Sequence, residues 1–141
     1  MKKLLKIAFS QYGIKEIIGE KHNPEVVKYF KEIGFKFIND DETPWCSAFM
    51  NWVALKSGLQ RSEKLDARSW LLVGNKILPP AIGDVCVFWR NKKDGWRGHV
   101  GIYINETDDY INVLGGNQGN EVCIKEYPKK RLLSYIRLKR G

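Results

Sequence analysis

The hydrophobic periodicity of this chain changes from helical to strand-like near its middle, and this change constrains the fold most. In the first half, apolar residues recur at the spacing of amphipathic helices over residues 3–12, 24–33, 44–57 and 66–73. After Leu78-Pro79-Pro80 the period is nearer two, and strands are predicted over 85–89, 99–104, 110–114, 121–127 and 135–138. Helices followed by strands predict an α+β fold, with helices against one face of an antiparallel sheet.

Two dipeptides mark predicted helix starts. Asn23-Pro24 and Thr43-Pro44 each place a capping side chain before a proline suited to the first helical position. Gly58 follows the third apolar stretch and predicts its C-terminal end. The third helix is therefore predicted to begin at Pro44, with Cys46 in its first turn.

The length and the cysteines bound the class of protein. A chain of 141 residues fits one domain, 1–141, whose core needs no metal or disulfide for stability. The three cysteines include no C-x-x-C pair, so zinc and redox signatures are missing, and we expect neither a metal nor a cofactor. Cys86 and Cys123 lie in strand-like runs, where a buried, inert thiol is expected.

The charge of the chain bears on its partners. The net charge is +8, with lysine and arginine dense over residues 125–140. This balance favours polyanions such as anionic wall polymers, membrane surfaces or nucleic acid, although a solvated basic face explains it equally well. No nucleic-acid-binding motif occurs, so no specific nucleic acid is expected.

The N-terminal residues are not expected to form a signal peptide. Met1 to Leu5 imitate its basic start, but no adequate apolar core or cleavage site follows. No run approaches the length of a membrane span, so no transmembrane segment is expected. We therefore expect synthesis in the cytoplasm, with any route outward supplied by something else.

Cys46 is the candidate nucleophile. In the first turn of a helix, unpaired backbone N–H groups and the helix dipole favour a thiolate. The same N–H groups, at Cys46 and Ser47, are suited to hold an oxyanion. Asp41 and Glu42 nearby oppose ionisation of the thiol, which makes a cationic base beside it important.

His99 is the candidate base. Strand alternation places it on the face opposite Val100, and its neighbours Gly98 and Gly101 are expected to leave room for a helix end and a substrate. The other histidine, His22, reads as a polar loop residue before a helix cap.

The segment 115–119, Gly-Gly-Asn-Gln-Gly, follows a predicted strand and offers a third catalytic group. Asn117 or Gln118 is placed to orient the imidazole of His99. A glycine turn with an asparagine tolerant of left-handed geometry is the competing explanation. Asp84, in Gly83-Asp84-Val85, is interpreted as structural, binding turn amides at the start of a strand.

Four short sequence motifs together resemble those of the CHAP group of cysteine, histidine-dependent amidohydrolases and peptidases. These are residues 41–49 (DETPWCSAF), 83–85 (GDV), 98–101 (GHVG) and 114–118 (LGGNQ). The segments 13–16 and 22–24 are similar to those of short phage-type members, so the resemblance covers nearly the whole chain. It implies a papain-like, NlpC-type fold, a nucleophile at Cys46, a general base at His99 and peptidoglycan as substrate.

The chain departs from this group at the third catalytic position. Many members carry Glu there with Asn two residues later, whereas the matching words here give Gly115 and Asn117. We assign the third role to Asn117, and substrate contacts to Trp45, Asp41 and Gln118.

These residues together predict a monomeric peptidoglycan hydrolase. The bond is either the N-acetylmuramoyl-L-alanine amide or one within the stem or cross-bridge, and phage or prophage lysis is the expected setting. An interbacterial wall-degrading effector and a non-catalytic wall-binding module are the alternatives.

Overall fold

The computed structural model describes residues 2–16, 23–36 and 45–141. The predictions made for His22, Asp41 and the Thr43-Pro44 helix start lie outside these residues. Within them, no helix is long and apolar enough to cross a membrane.

Three α-helices and a 3₁₀ helix form the first half of the described chain, and a sheet forms the second. The helices are α1 (Lys2–Phe9), α2 (Pro24–Lys31), α3 (Cys46–Ser57) and a 3₁₀ helix (Ala67–Leu72). The strands are β1 (Asn75–Lys76), β2 (Val85–Trp89), β3 (Gly98–Glu106), β4 (Tyr110–Gly115), β5 (Cys123–Pro128) and β6 (Leu132–Arg137). A second short 3₁₀ helix (Lys129–Arg131) precedes β6.

The helix ends that the structure describes follow the capping signals. The Asn23 side chain accepts the Glu25 backbone N–H at 2.9 Å, and Gly58 ends α3 with φ 72°, as predicted. Among the described residues α3 begins at Cys46. Trp45 occupies the cap position with φ −95° and ψ 16°, and its carbonyl accepts the first helical bond, from Phe49.

The sheet has six strands in the order β1-β6-β2-β3-β4-β5, and all its pairs are antiparallel. This confirms the predicted α+β class. All five predicted strands are present, and β2 has the predicted bounds. The sequence did not predict β1, because its two exposed polar residues carry no hydrophobic pattern.

The two faces of the sheet have separate cores. The face covered by the helices carries the larger cluster, which includes Val100 and Ile102 of β3. The opposite face carries a smaller cluster that includes Phe88 and Tyr103. The alternation predicted for β3 is therefore correct.

Gly98 and Gly101 serve strand packing rather than substrate access. A Cβ on Gly101 would lie 2.3 Å from Val113 Cγ1, and one on Gly98 would lie 2.5 Å from the Phe88 carbonyl oxygen. Both distances are far below contact. The expectation that these glycines open space for a substrate is wrong, because neighbouring strands already fill that space.

Asp84 is fully buried and has the structural role predicted for it. Its carboxylate accepts the Ala81 backbone N–H at 2.7 Å. Arg137 on β6 donates to the same carboxylate from Nε at 2.9 Å and from Nη2 at 2.8 Å. A buried charge is tolerated when it is paired in this way, so the contact fixes the start of β2 against the end of β6.

Candidate active site

Cys46 is the first residue of α3, and its side chain is buried. Burial raises the pKa of its thiol, and backbone hydrogen bonds at Val100 and Ser47 oppose that effect. The helix start was expected to favour the thiolate. Desolvation outweighs it here, so the thiol is protonated at neutral pH in this conformation.

The imidazole of His99 is also buried, and Gln118 holds it. Nε2 of His99 lies 2.8 Å from Gln118 Oε1. The amide nitrogen of Gln118 donates to the carbonyl oxygens of Val113, at 3.0 Å, and Cys123, at 2.7 Å. Because that nitrogen faces two acceptors, Oε1 is the atom that faces His99 and it must accept. Nε2 of His99 therefore carries the proton, and Nδ1 is left as the basic nitrogen.

The pKa of His99 is lowered to about 4, chiefly by burial. The hydrogen bond that His99 donates to Gln118 opposes this shift, whereas the charges of Arg90 and Lys125 add to it. His99 is thus neutral at neutral pH and able to accept a proton.

Tyr127 on β5 stacks on His99, a contact that the sequence analysis missed. The two ring centroids are 4.6 Å apart with an interplanar angle of 16°, and Phe88 stacks on Tyr127 at 5.1 Å. The stacking fixes the plane of the imidazole. The alternating pattern of β5 is the sequence signal for this contact. It becomes usable only when the strand register, which pairs Tyr127 with Ile111, is known.

The structure brings Gln118, rather than Asn117, to His99. Asn117 has φ 57°, and no hydrogen bond joins its side chain to His99 in the described part of the chain. Gln118, which was expected to contact substrate, contacts the imidazole instead. Gly115 makes this possible, because a Cβ there would lie 2.7 Å from Gln118 Oε1.

The structure places Trp45, which was expected to contact substrate, in the core. Its side chain is 4% exposed and stacks against Tyr29 at 6.0 Å. A Cβ on Gly116 would lie 2.8 Å from its ring, so the main chain presses on that face. The ring belongs to the core, where hydrophobic burial is favourable.

Ser47 has a buried side chain with structural partners. Its Oγ donates to the Lys64 carbonyl oxygen at 2.7 Å and accepts from Trp70 Nε1 at 3.0 Å. Asn51 joins the same network. An oxyanion role at Ser47 therefore falls to its backbone N–H, beside the Cys46 sulfur.

The Cys46 sulfur reaches the strand that carries His99. Cys46 lies in the helix-side core, His99 stacks on Tyr127, and the backbone of Val100, the residue after His99, hydrogen-bonds the Cys46 sulfur. Across the described ranges, no hydrogen bond joins the Cys46 sulfur to His99. The two candidate catalytic groups are both neutral at neutral pH.

A cleft of about 280 Å³ opens beside His99. Its walls come from the end of β2, the 115–119 turn, β5 and the second 3₁₀ helix. The lining residues are Phe88, Trp89, Arg90, His99, Asn117, Gln118, Gly119, Lys125, Tyr127 and Arg131.

Solved structures share this fold at low identity. A lipoprotein-like protein of the NLP/P60 family from Staphylococcus aureus has a TM-score of 0.57 and 15% identity, over 96% of this chain and 40% of its own. NlpC1 from Trichomonas vaginalis has a TM-score of 0.57 and 16% identity, over 97% of this chain and 44% of its own. The chain spans less than half the length of these two structures.

A third structure matches along nearly its whole length. RipD from Mycobacterium tuberculosis, described as a non-catalytic NlpC/p60 domain protein adapted to peptidoglycan binding, has a TM-score of 0.53 and 14% identity, over 99% of this chain and 95% of its own. The fold is thus the NlpC/P60 papain-like fold, as the sequence resemblance implied.

Comparison with curated proteins finds no matching relative. The CHAP domain family, in contrast, matches residues 38–117, which make up more than half of the chain and include both Cys46 and His99. The chain belongs to the CHAP domain family.

Proposed function

We propose that this protein is a cysteine hydrolase that cleaves an amide bond of bacterial peptidoglycan. One observation carries the proposal. A thiol at the start of a helix is hydrogen-bonded by the backbone of Val100, the residue after His99, and the tautomer of that buried histidine is fixed by a fully bonded amide, Gln118. CHAP membership supports peptidoglycan as the substrate.

The neutral state of both groups favours general base catalysis over a preformed ion pair. As the Cys46 sulfur attacks the amide carbon, its proton passes to His99 Nδ1. Backbone N–H groups at the start of α3 stabilise the negative oxygen. His99 then protonates the leaving amine, and a water molecule, activated by the same nitrogen, hydrolyses the thioester and restores the thiol.

Gln118 is a positioning residue in this mechanism. It touches the imidazole rather than the substrate, and it holds the proton on Nε2. An uncharged amide orients the ring without stabilising an imidazolium as strongly as a carboxylate does. The base therefore stays neutral across the physiological pH range.

The decisive experiment is mass spectrometry of purified peptidoglycan treated with the wild type, Cys46→Ala or Cys86→Ala. Cys86 is the matched control, since it is an equally buried cysteine on the other face of the sheet. New fragments are expected from the wild type and Cys86→Ala but not from Cys46→Ala. Their new termini distinguish an N-acetylmuramoyl-L-alanine amidase from an endopeptidase.

A non-catalytic wall-binding protein is the second candidate. The missing Cys46 to His99 hydrogen bond within the described residues and the fold shared with RipD favour it. It predicts that the protein sediments with peptidoglycan and that neither the wild type nor any variant releases fragments. That result on walls of several chemotypes would replace the hydrolase proposal.

We further propose a setting of phage or prophage lysis, after synthesis in the cytoplasm. Delivery as an interbacterial effector is the alternative. A holin gene beside this one supports lysis, and an immunity gene supports the effector.

A further inference from the structure

Three cationic side chains surround the cleft beside His99. Arg90 follows β2, Lys125 lies on β5, and Arg131 ends the second 3₁₀ helix. We propose that this cleft binds a free carboxylate of the substrate peptide close to the scissile amide. The inference rests on the proposed function and names the chemical feature that its substrate must carry.

These three cations lack a carboxylate partner in the part of the chain that the structure describes. None of them forms an ion pair there, and no acidic residue lines the cleft. Other cations of the same basic stretch are paired, Lys129 with Glu106 and Arg137 with Asp84. The positive charge at the cleft is therefore open to a ligand.

The positive charge also reaches the reacting groups. Arg90 lowers the pKa of both Cys46 and His99, and Lys125 lowers that of His99. A carboxylate held between these cations would reverse their effect on His99 and make it a stronger base. Binding of the correct substrate would thus strengthen the catalytic base.

An aromatic ring of the cleft holds one of these cations. The Arg131 guanidinium lies 5.2 Å from the centre of the Trp89 ring, and both residues line the cleft. The planar fork of a guanidinium suits a small planar anion such as a carboxylate.

The position of the cleft favours a peptide carboxylate over the phosphates of wall polymers. His99 forms part of its lining, so an anion bound there lies next to the amide that the proposed mechanism cleaves. Its volume of about 280 Å³ accommodates a peptide side chain with its carboxylate.

The test measures binding by calorimetry to the full chain carrying Cys46→Ala. The probe is a soluble disaccharide tetrapeptide from peptidoglycan with free carboxylates, compared with the same fragment in which they are carboxamides. The carboxylate form is expected to bind at least about tenfold more tightly. Arg90→Gln and Lys125→Gln should each remove most of this preference, whereas Lys76→Gln, an exposed control on β1, should keep it.

The outcomes separate the two proposals. Equal binding of both fragments, or an equal effect of Lys76→Gln, overturns the carboxylate site. A preference that depends on Arg90 and Lys125, with a wild type that cleaves nothing, keeps the carboxylate site and removes the hydrolase. If the cleft variants weaken binding of a glycerol phosphate polymer but not of the fragment, the cleft serves phosphates and the proposal fails.

Discussion

At the scale of single residues, burial decides the chemistry of Cys46 and His99. Removing a thiol or an imidazole from water disfavours its charged form. Burial therefore raises the pKa of the Cys46 thiol and lowers the pKa of the His99 imidazole. Both groups are therefore neutral, and the proposed reaction requires one proton to move between them. Gln118 controls which nitrogen of His99 receives it.

The replacement Gln118→Leu should lower kcat about a hundredfold, on the scale of general base catalysis, because the imidazole loses its fixed tautomer. It should also move the acid limb of the pH profile of kcat/KM to a lower pH. That limb is set by the His99 pKa of about 4, which the hydrogen bond to Gln118 raises. A pH profile on a soluble peptidoglycan fragment measures both effects.

The matched comparison is Asn117→Gly, which keeps the left-handed backbone at φ 57°. It should leave the pH limb in place. If Asn117→Gly costs more kcat than Gln118→Leu, the third catalytic role belongs to Asn117 after all.

The buried histidine also predicts how stability depends on pH. The pKa of His99 falls from its ordinary 6.5 to about 4 on folding, so the unfolded chain binds more protons between these values. The free energy of unfolding should therefore rise with pH across this window, by up to about 3 kcal/mol from this group. Urea unfolding of His99→Gln at a series of pH values should show a flatter dependence, and an unchanged slope would contradict the buried, neutral state.

At the scale of elements, the close contact of β3 with β4 depends on Gly101. A Cβ there would lie 2.3 Å from Val113 Cγ1, so Gly101→Ala should cost about 1–3 kcal/mol of unfolding free energy through overpacking. The cost should be smaller in a Val113→Ala background, where that methyl group is gone. Urea unfolding of both single variants and the double variant measures the coupling, and strictly additive losses would show that the two residues do not compete for space.

The sequence predicted these elements better than it predicted their contacts. Alternation in β2 identified its bounds, and a cap and a proline identified the start of α2, because both signals are local. The sequence analysis assigned the contact with His99 to Asn117, whereas the structure gives it to Gln118, since a left-handed residue turns the chain and sends the next side chain back toward His99. The stacking of Tyr127 was also missed, since it depends on strand register, which no local pattern contains.

At the scale of the whole molecule, the basic stretch at 125–140 has three separate roles. Lys125 and Arg131 line the cleft beside His99. Arg137 holds the buried carboxylate of Asp84, which is a structural task. The remaining exposed cations, which include Lys139 and Arg140, form a positive surface, in keeping with the net charge of +8. This surface is suited to hold the protein near anionic wall polymers.

That surface predicts a salt response that depends on the substrate. Activity on whole walls should fall as ionic strength rises from about 0.01 to 0.15 M, because the screening length shortens from about 30 to about 8 Å. The double change Lys139→Gln and Arg140→Gln should flatten the response on walls that retain their anionic polymers. On walls stripped of those polymers the variant and the wild type should respond alike, since the long-range attraction is gone while the cleft cations are intact. Turbidity loss of both wall preparations across a salt series measures this, and an equally flat wild-type response on both would mean that the positive surface plays no part in reaching the wall.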